Sequence, residues 1–246
     1  MTGAAALLLA DGRFPAGGHA HSGGVEAAAH RGRLEGLARL EAFLRGRLAT
    51  AGTVDAGLAA ASCARGRRHH GRDDCGDHRA RQQSASGPLG PPPWAELVAE
   101  AEARQPSPAQ RTAWRAQGRA LLRAGMSAWP GPILDGLVAA VPGGAPHPVV
   151  MGACAAAANL SPAEAAGCAA YQAVSGPASA AVRLLALDPF VVAGMVATLA
   201  PEVDAVADRA ASSAGGPLAD LACPSAPLLD IGAEDHASWE VRLFAS

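Results

Sequence analysis

Side chains able to hold a metal ion gather at one place along this chain. The run His69-His70-Gly71-Arg72-Asp73-Asp74-Cys75-Gly76-Asp77-His78 combines imidazoles with a thiol. Both ligand types suit Ni²⁺ or Zn²⁺, and Cys75 and His78 are close enough in sequence to share an ion. The opposing reading is a solvated loop, because a floppy site loses chain entropy when it closes on a metal. His19 and His21 form a second candidate. In extended backbone an H-x-H pair points both rings to one side, whereas in a turn His19 would pack and His21 would be exposed. Neither set makes a firm site.

Other chemistries are excluded outright. The chain has no lysine, so all 20 Lys and Arg residues are Arg. That removes a Walker-A lysine, a Schiff-base lysine and a Ser-x-x-Lys nucleophile pair. No G-x-S-x-G, H-E-x-x-H or dinucleotide-binding loop is present, and Gly17-Gly18 and Gly23-Gly24 are too sparse to cradle phosphate. No catalytic residue is identified. A net charge of −2 without an aromatic-basic platform argues against nucleic acid as a partner. Five cysteines, an odd number with no C-x-x-C pair, argue against a disulfide framework; Cys154 and Cys168 read as small buried hydrophobes. The apolar run Ala4 to Ala10 has no basic region before it and stops at Asp11, so no secretory signal is read and a cytoplasmic location is expected.

What must position any site is helix. Between His147 and Ala200 the acids are Glu164 and Asp188 and the base is Arg183, with Ala, Gly, Ser, Val and Leu at most other places. Ala is the best helix former, and small residues let helices approach closely. Ser161-Pro162-Ala163-Glu164 is a start signal: Ser as cap, Pro at the first position, Glu returning a hydrogen bond. Its helix should reach about Leu187, with a possible kink at Gly176-Pro177. The uncharged run Ala165 to Val182 could be read as a membrane span. Gln172, Ser175, Pro177 and Ser179, and the weak insertion tendency of Ala, favour a central buried helix instead.

Further helices are predicted over Ala4 to Ala10, from Ser22 or Gly23 onward with Glu26 in the first turn, along Leu37, Leu40, Leu44 and Leu48, from Thr53 to Arg65, and from Trp94 to Arg104. Ser107 caps another that reaches about Ser127, in which Gly118 and Gly125 would admit a neighbour. Ile133 to Val141 makes a short one, and Asp188-Pro189 and Pro201-Glu202 open two more. Gly66 to Pro93, rich in Arg and polar groups and ending in Gly87-Pro88-Leu89-Gly90-Pro91-Pro92-Pro93, reads as a mobile surface insertion. Strand signals are weak throughout. The expected fold is all-α: a single-domain bundle of about eight to ten helices over residues 1–222, with the insertion at 66–93 and an extended C-terminal tail at 223–246.

Two surfaces could meet a partner. Arg111, Arg115, Arg119 and Arg123 stand four apart on one helix, either facing an acidic partner or pairing with Glu96, Glu100 and Glu102. Trp239, Val241, Leu243 and Phe244 make the charged terminus sticky, as interface anchors are, unless the tail folds back on its own core.

These residues resemble a family. Phe14-Pro15-Ala16-Gly17-Gly18 with His21-Ser22 and Gly24-Val25-Glu26 resembles the N-terminal signature of the UreF family of urease accessory proteins. Gln117-Gly118-Arg119 with Leu121-Leu122-Arg123 is similar to its central Q-G-R helix. His147-Pro148 and Ala180-Ala181-Val182-Arg183-Leu184 are similar to its core helices, and Ser225-Ala226-Pro227, Asp230-Ile231, His236 and Arg242-Leu243-Phe244-Ala245-Ser246 to its ending. The family's Pro-Leu-Gly-Gln is replaced by Ala186-Leu187-Asp188-Pro189, and Gly66 to Pro93 has no clear counterpart.

The resemblance implies an all-α homodimer without enzymatic activity or a cofactor of its own. It implies binding to a UreD/UreH-type accessory protein and recruitment of the GTPase UreG, so that the complex carries nickel to the urease apoprotein, with neither nucleic acid nor membrane as partner. Carried over by residue, His236, Arg242, Leu243 and Phe244, with Trp239 beside them, belong to a tail ordered against UreD, while Gln117 and Arg119 shape the core or dimer surface. The rival reading is a direct nickel carrier using the loop His69 to His78.

Overall fold

Ser161 opens the longest helix as its sequence predicts. Its hydroxyl accepts the Glu164 amide at 3.2 Å, and the Glu164 carboxylate accepts the Ser161 amide at 2.9 Å, so two otherwise unpaired donors of the first turn are satisfied reciprocally. The helix then runs unbroken through Pro177 to Leu185, where Ala186 turns left-handed at φ 49° and ends it.

The structure, a computed structural model, describes residues 3–73 and 94–244, with only the backbone described for His19 and residues 69–73. In chain order the helices are α1 (Ala4–Ala10), α2 (Val25–His30), α3 (Leu37–Arg47), α4 (Thr53–Asp73), α5 (Trp94–Ala103), α6 (Pro108–Ala128), α7 (Pro132–Ala140), α8 (His147–Ala157), α9 (Pro162–Leu185), α10 (Pro189–Thr198), α11 (Ala200–Ser213) and α12 (Pro227–Ala237). A π-helical turn, Leu48–Gly52, joins α3 to α4. No strand occurs among the described residues, and the fold is all-α.

Helices α4 and α9 lie at the centre and serve two apolar clusters. One face of α4 places Leu58, Ala59 and Cys63 with Trp94, Leu121, Leu134 and Met151 from α5 to α8. The other places Ala56 and Ala60 with Leu40, Leu44, Val174, Leu199 and Val206 from α3 and α9 to α11. Small residues make this possible. A β-carbon on Gly152 of α8 would overlap the Ala59 carbonyl oxygen of α4, and one on Gly118 of α6 would overlap the carbonyl of Ala145 just before α8. Gly125 faces Cys154 in the same way. Burial pushes the Cys63 and Cys154 thiols up to about 12 and Cys168 up to about 11, leaving them neutral.

Two expectations need correction. The stretch from Gly66 was expected to be loop, yet α4 continues to Asp73. Arg is a good helix former, and here Arg65 donates to the carbonyls of Ala214 and Gly216 while Arg67 donates to the Asn159 side chain and the Leu160 carbonyl. Residues 74–93 lie outside the described residues. The C-terminal region was expected as an extended tail, yet it contains α12, which packs against α2 and α6.

No single helix among the described residues is long and apolar enough to cross a membrane. Most of α9 between Ala165 and Ala181 is buried inside the bundle.

A candidate partner-binding face and the cavity behind it

Glu26 enters the first turn of α2 on its inner side and is 8% exposed. Its carboxylate accepts the Leu243 amide at 2.9 Å and the Phe244 amide at 3.0 Å, and lies 2.9 Å from His236 Nε2. Burial acts to raise this carboxyl. The Leu243 amide, the His236 hydrogen bond and the Phe244 amide outweigh it, and the group is held below its ordinary value. One acid thus binds both α12 and the end of the chain.

Around this contact the tail is tied down by its rings. Trp239 packs against His30 and His236, with ring centroids 4.4 and 4.7 Å apart. The Arg183 guanidinium sits 4.5 Å from the centre of the Phe244 ring.

The acids of α12 tie it to the body from its edges, Glu234 and Asp235 staying exposed: Asp230 accepts from Gln110 at 3.1 Å, Asp235 pairs with Arg31 at 2.8 Å, and Glu234 accepts the Ala109 amide at 2.9 Å and the Ser107 hydroxyl. Leu228 and Ile231 face outward, 61% and 57% exposed, and Val241 and Leu243 beyond the helix are more exposed still. Gathered on one side, these exposed apolar groups make the face a candidate for contact with a partner.

Behind α12 lies a cavity of about 850 Å³, lined by Leu229 and Ala233 of α12, by α6 and α9, and by His21, Arg47, Asp55 and His147. Arg47 donates to the Ala173 carbonyl at 3.1 Å. Burial pushes the Asp55 carboxyl up to about 6 against the opposing pull of Arg47. Burial, helped by His21, pushes His147 down to about 4. The cavity wall therefore carries both a guanidinium and an imidazole kept neutral.

The sequence candidates fall at scattered places. His19 lies in the 3-10 turn Gly18–Ala20 and His21 follows it in extended backbone. The extended geometry that would have aimed both rings together is absent, and His21 is half-buried at the cavity rather than exposed. His69 and His70 belong to the last turns of α4, while Cys75 and His78 lie outside the described residues. Among the described residues no three or more His, Cys, Asp or Glu side chains group to hold a metal.

Two arginines of the row are engaged within the chain: Arg111 donates to the Gln105 and Pro106 carbonyls and Arg115 pairs with Glu102. Glu100 pairs with Arg104 instead. Gln117 lines the cavity, and Arg119 is exposed with its stem against Gly144. Of the expected tail anchors, Arg242 and Leu243 are exposed, whereas His236 and Phe244 are buried against the chain's own body.

Sequence reasoning missed Glu26 as the keystone, the outward pair Leu228 and Ile231, and the cavity groups Asp55 and His147. Glu26 was read as a helix-dipole acid. The signal that could have found it is its place directly after buried Val25, on the inward face of a six-residue helix.

A family model described as UreF matches residues 34–200. The chain is 42% identical to the urease accessory protein UreF of Mycolicibacterium vanbaalenii, over 98% of this chain and 97% of that one. It is 40% identical to that of Mycobacterium marinum and 38% identical to that of Mycobacterium tuberculosis, over the full length of both chains in each case.

Proposed function

The chain belongs to the UreF family, and on that premise we propose that it is a non-catalytic scaffold of urease maturation, joining a UreD/UreH-type protein to the GTPase UreG so that nickel reaches the urease apoprotein. Nickel is the cargo of the complex and not a cofactor of this chain. Coupling to the GTPase follows from different affinities for its two nucleotide states, since a partner shifts an equilibrium only by the difference in its binding to each state.

The observation that carries this reading is the exposed apolar side of helix α12 and of the residues after it. A surface that turns Leu228, Ile231, Val241 and Leu243 to water beside Arg242 fits a protein partner with an apolar groove, in which these side chains would become the buried anchors. The proposal assigns this face to the UreD-type partner. Arg119, Gln117 and a homodimer contact remain with the family expectation.

Removing Glu240 to Ser246 tests the reading. Co-purification with UreD is expected to be lost while the helical signal persists, and retained co-purification overturns the assignment. Pull-down with UreG, with and without GTP and nickel, is expected to show binding that depends on nucleotide; indifference to nucleotide overturns the coupling.

A further inference from the structure

Eight positions separate Arg47 from Asp55, a spacing that in a regular α-helix turns two side chains roughly 80° apart. The π-helical turn Leu48–Gly52 lies between them and absorbs one residue. The two therefore stand as residues seven apart would, within about 20° of one line, and both reach the cavity wall. Two further irregularities fix the guanidinium there. Pro177, inside α9, has no N–H to give the carbonyl of Ala173 one turn before it, and Arg47 Nε supplies the missing donor at 3.1 Å. Gly23, at φ 60°, lies so close that a β-carbon on it would stand 3.2 Å from Nε and Cζ of Arg47.

This arrangement occupies Nε and leaves both Nη groups of Arg47 without a hydrogen-bond partner among the described residues. Arg47 and Asp55 act on each other through space, with no hydrogen bond between them. Asp55 Oδ1 is sealed from water without a partner among the described residues. That penalises the ionised carboxylate, and burial lifts the group to about 6. A protonated Asp55 offers a hydroxyl and Arg47 offers N–H groups, so both present donors. The cavity of about 850 Å³ reaches the surface beside Arg13 and Tyr171, which are exposed members of its wall.

We propose that Arg47 and Asp55 form a binding site for one small carboxylate-type oxyanion, its oxygens accepting from the Arg47 Nη groups and from a proton held on Asp55. Anion and proton enter together. The anion meets the guanidinium, and the proton, taken from solvent, removes the charge on Asp55 that would repel it. For a monovalent anion the net charge of the cavity is unchanged, so no uncompensated charge is buried. The other titratable groups of the wall are His147 of α8, His21 before α2, Tyr171 and Arg183 of α9, and Asp11 and Arg13 after α1. Helix α11, which also packs on α4, sends no residue to the wall. Of the charged groups, Arg47 is the one that acts on the Asp55 carboxyl. The inference is separate from the partner reading, since neither residue belongs to the outward side of α12.

The test titrates isotope-labelled formate into the full chain and follows broadening of its NMR line, with ionic strength held constant by chloride. A single saturable site is expected, from which acetate displaces formate. Arg47→Gln is expected to weaken binding by at least about tenfold, the loss of a bidentate charge-assisted contact. Formate keeps its charge between about pH 5.5 and about pH 7.5, as a simple carboxylate does, so any change in affinity over that range belongs to the protein. The parent is expected to lose about tenfold across it as the Asp55 proton leaves. Asp55→Asn, a neutral donor at every pH, is expected to bind equally at both ends. Absence of saturable binding overturns the proposal, as does an Arg47→Gln chain that binds like the parent. If Arg47→Gln does not fold, Asp55→Asn decides alone: a pH dependence as steep as the parent's overturns the site.

Discussion

His236 Nε2 lies 2.9 Å from Glu26 Oε2, and the two residues stand 210 positions apart in the chain. The contact is buried, with the imidazole 0% exposed, so it is made at the expense of water and rewards good geometry. His236→Ala leaves the acid with its two amide donors and an unfilled position. The variant is expected to lose about 2 kcal/mol of stability, the cost of stranding one buried charged acceptor. His236→Gln, which keeps a donor, is expected to lose less. Urea denaturation of both variants checks the order.

Alanine in place of glycine should change sign with position. Gly118→Ala and Gly152→Ala force a β-carbon into a backbone oxygen, and each is expected to cost about 3 kcal/mol. Gly167→Ala lies inside α9 with nothing within 4 Å of the new atom, and it is expected to stabilise by roughly 0.5 to 1 kcal/mol. Thermal unfolding of the three variants provides the comparison.

Asp55 and His147 act oppositely over one pH window. Burial lifts the Asp55 carboxyl from 3.8 to about 6. The folded state therefore favours its proton, and the stability it contributes is present below pH 4 and lost as pH rises through 6. Asp55→Asn is expected to match the parent near pH 4 and exceed it by about 2 kcal/mol at pH 7.5.

Burial lowers His147 from 6.5 to about 4. The neutral ring is favoured in the folded state, so its contribution is present above pH 6.5 and lost as pH falls toward 4. His147→Gln is expected to flatten that acid limb. Denaturation midpoints measured from pH 4 to pH 7.5 separate the two, and identical profiles for parent and variants would contradict both.

The outward face of α12 can be altered without touching its attachment. Leu228→Asp with Ile231→Asp is expected to leave stability within about 0.5 kcal/mol, since both side chains are exposed. The same variant is expected to weaken capture by a UreD-type partner by at least about tenfold. A quantitative pull-down decides; undiminished capture would move the docking face elsewhere.

For nickel, replacing residues 74–93 by a short flexible linker is expected to preserve nickel-dependent urease activation. Equilibrium dialysis of the same variant checks whether stoichiometric nickel goes with the segment. Loss of both would make the chain a carrier through Cys75 and His78.

Much of the architecture was readable before any coordinates because it is written in contacts a few residues long. The capping box of Ser161 and Glu164, the Asp188 cap on the Phe190 amide, the pair Glu41 and Arg45, and the spacing of Leu40, Leu44 and Leu48 all close within one or two helical turns. Local hydrogen bonds and the helical period settle such features wherever the rest of the chain goes.

Tertiary packing decided the remainder. Whether α4 stopped near Arg65 depended on carbonyls at Leu160, Ala214 and Gly216 that no nearby residue announces. Whether the ending was extended or folded back depended on Glu26, and which side of α12 faced inward depended on partners from α2 and α6. Asp55 and His147 became members of one cavity only when α4 and α8 packed together. In each case the free energy comes from desolvating groups far apart in sequence, and a pattern read along the chain has no measure of which distant surfaces will remove each other's water.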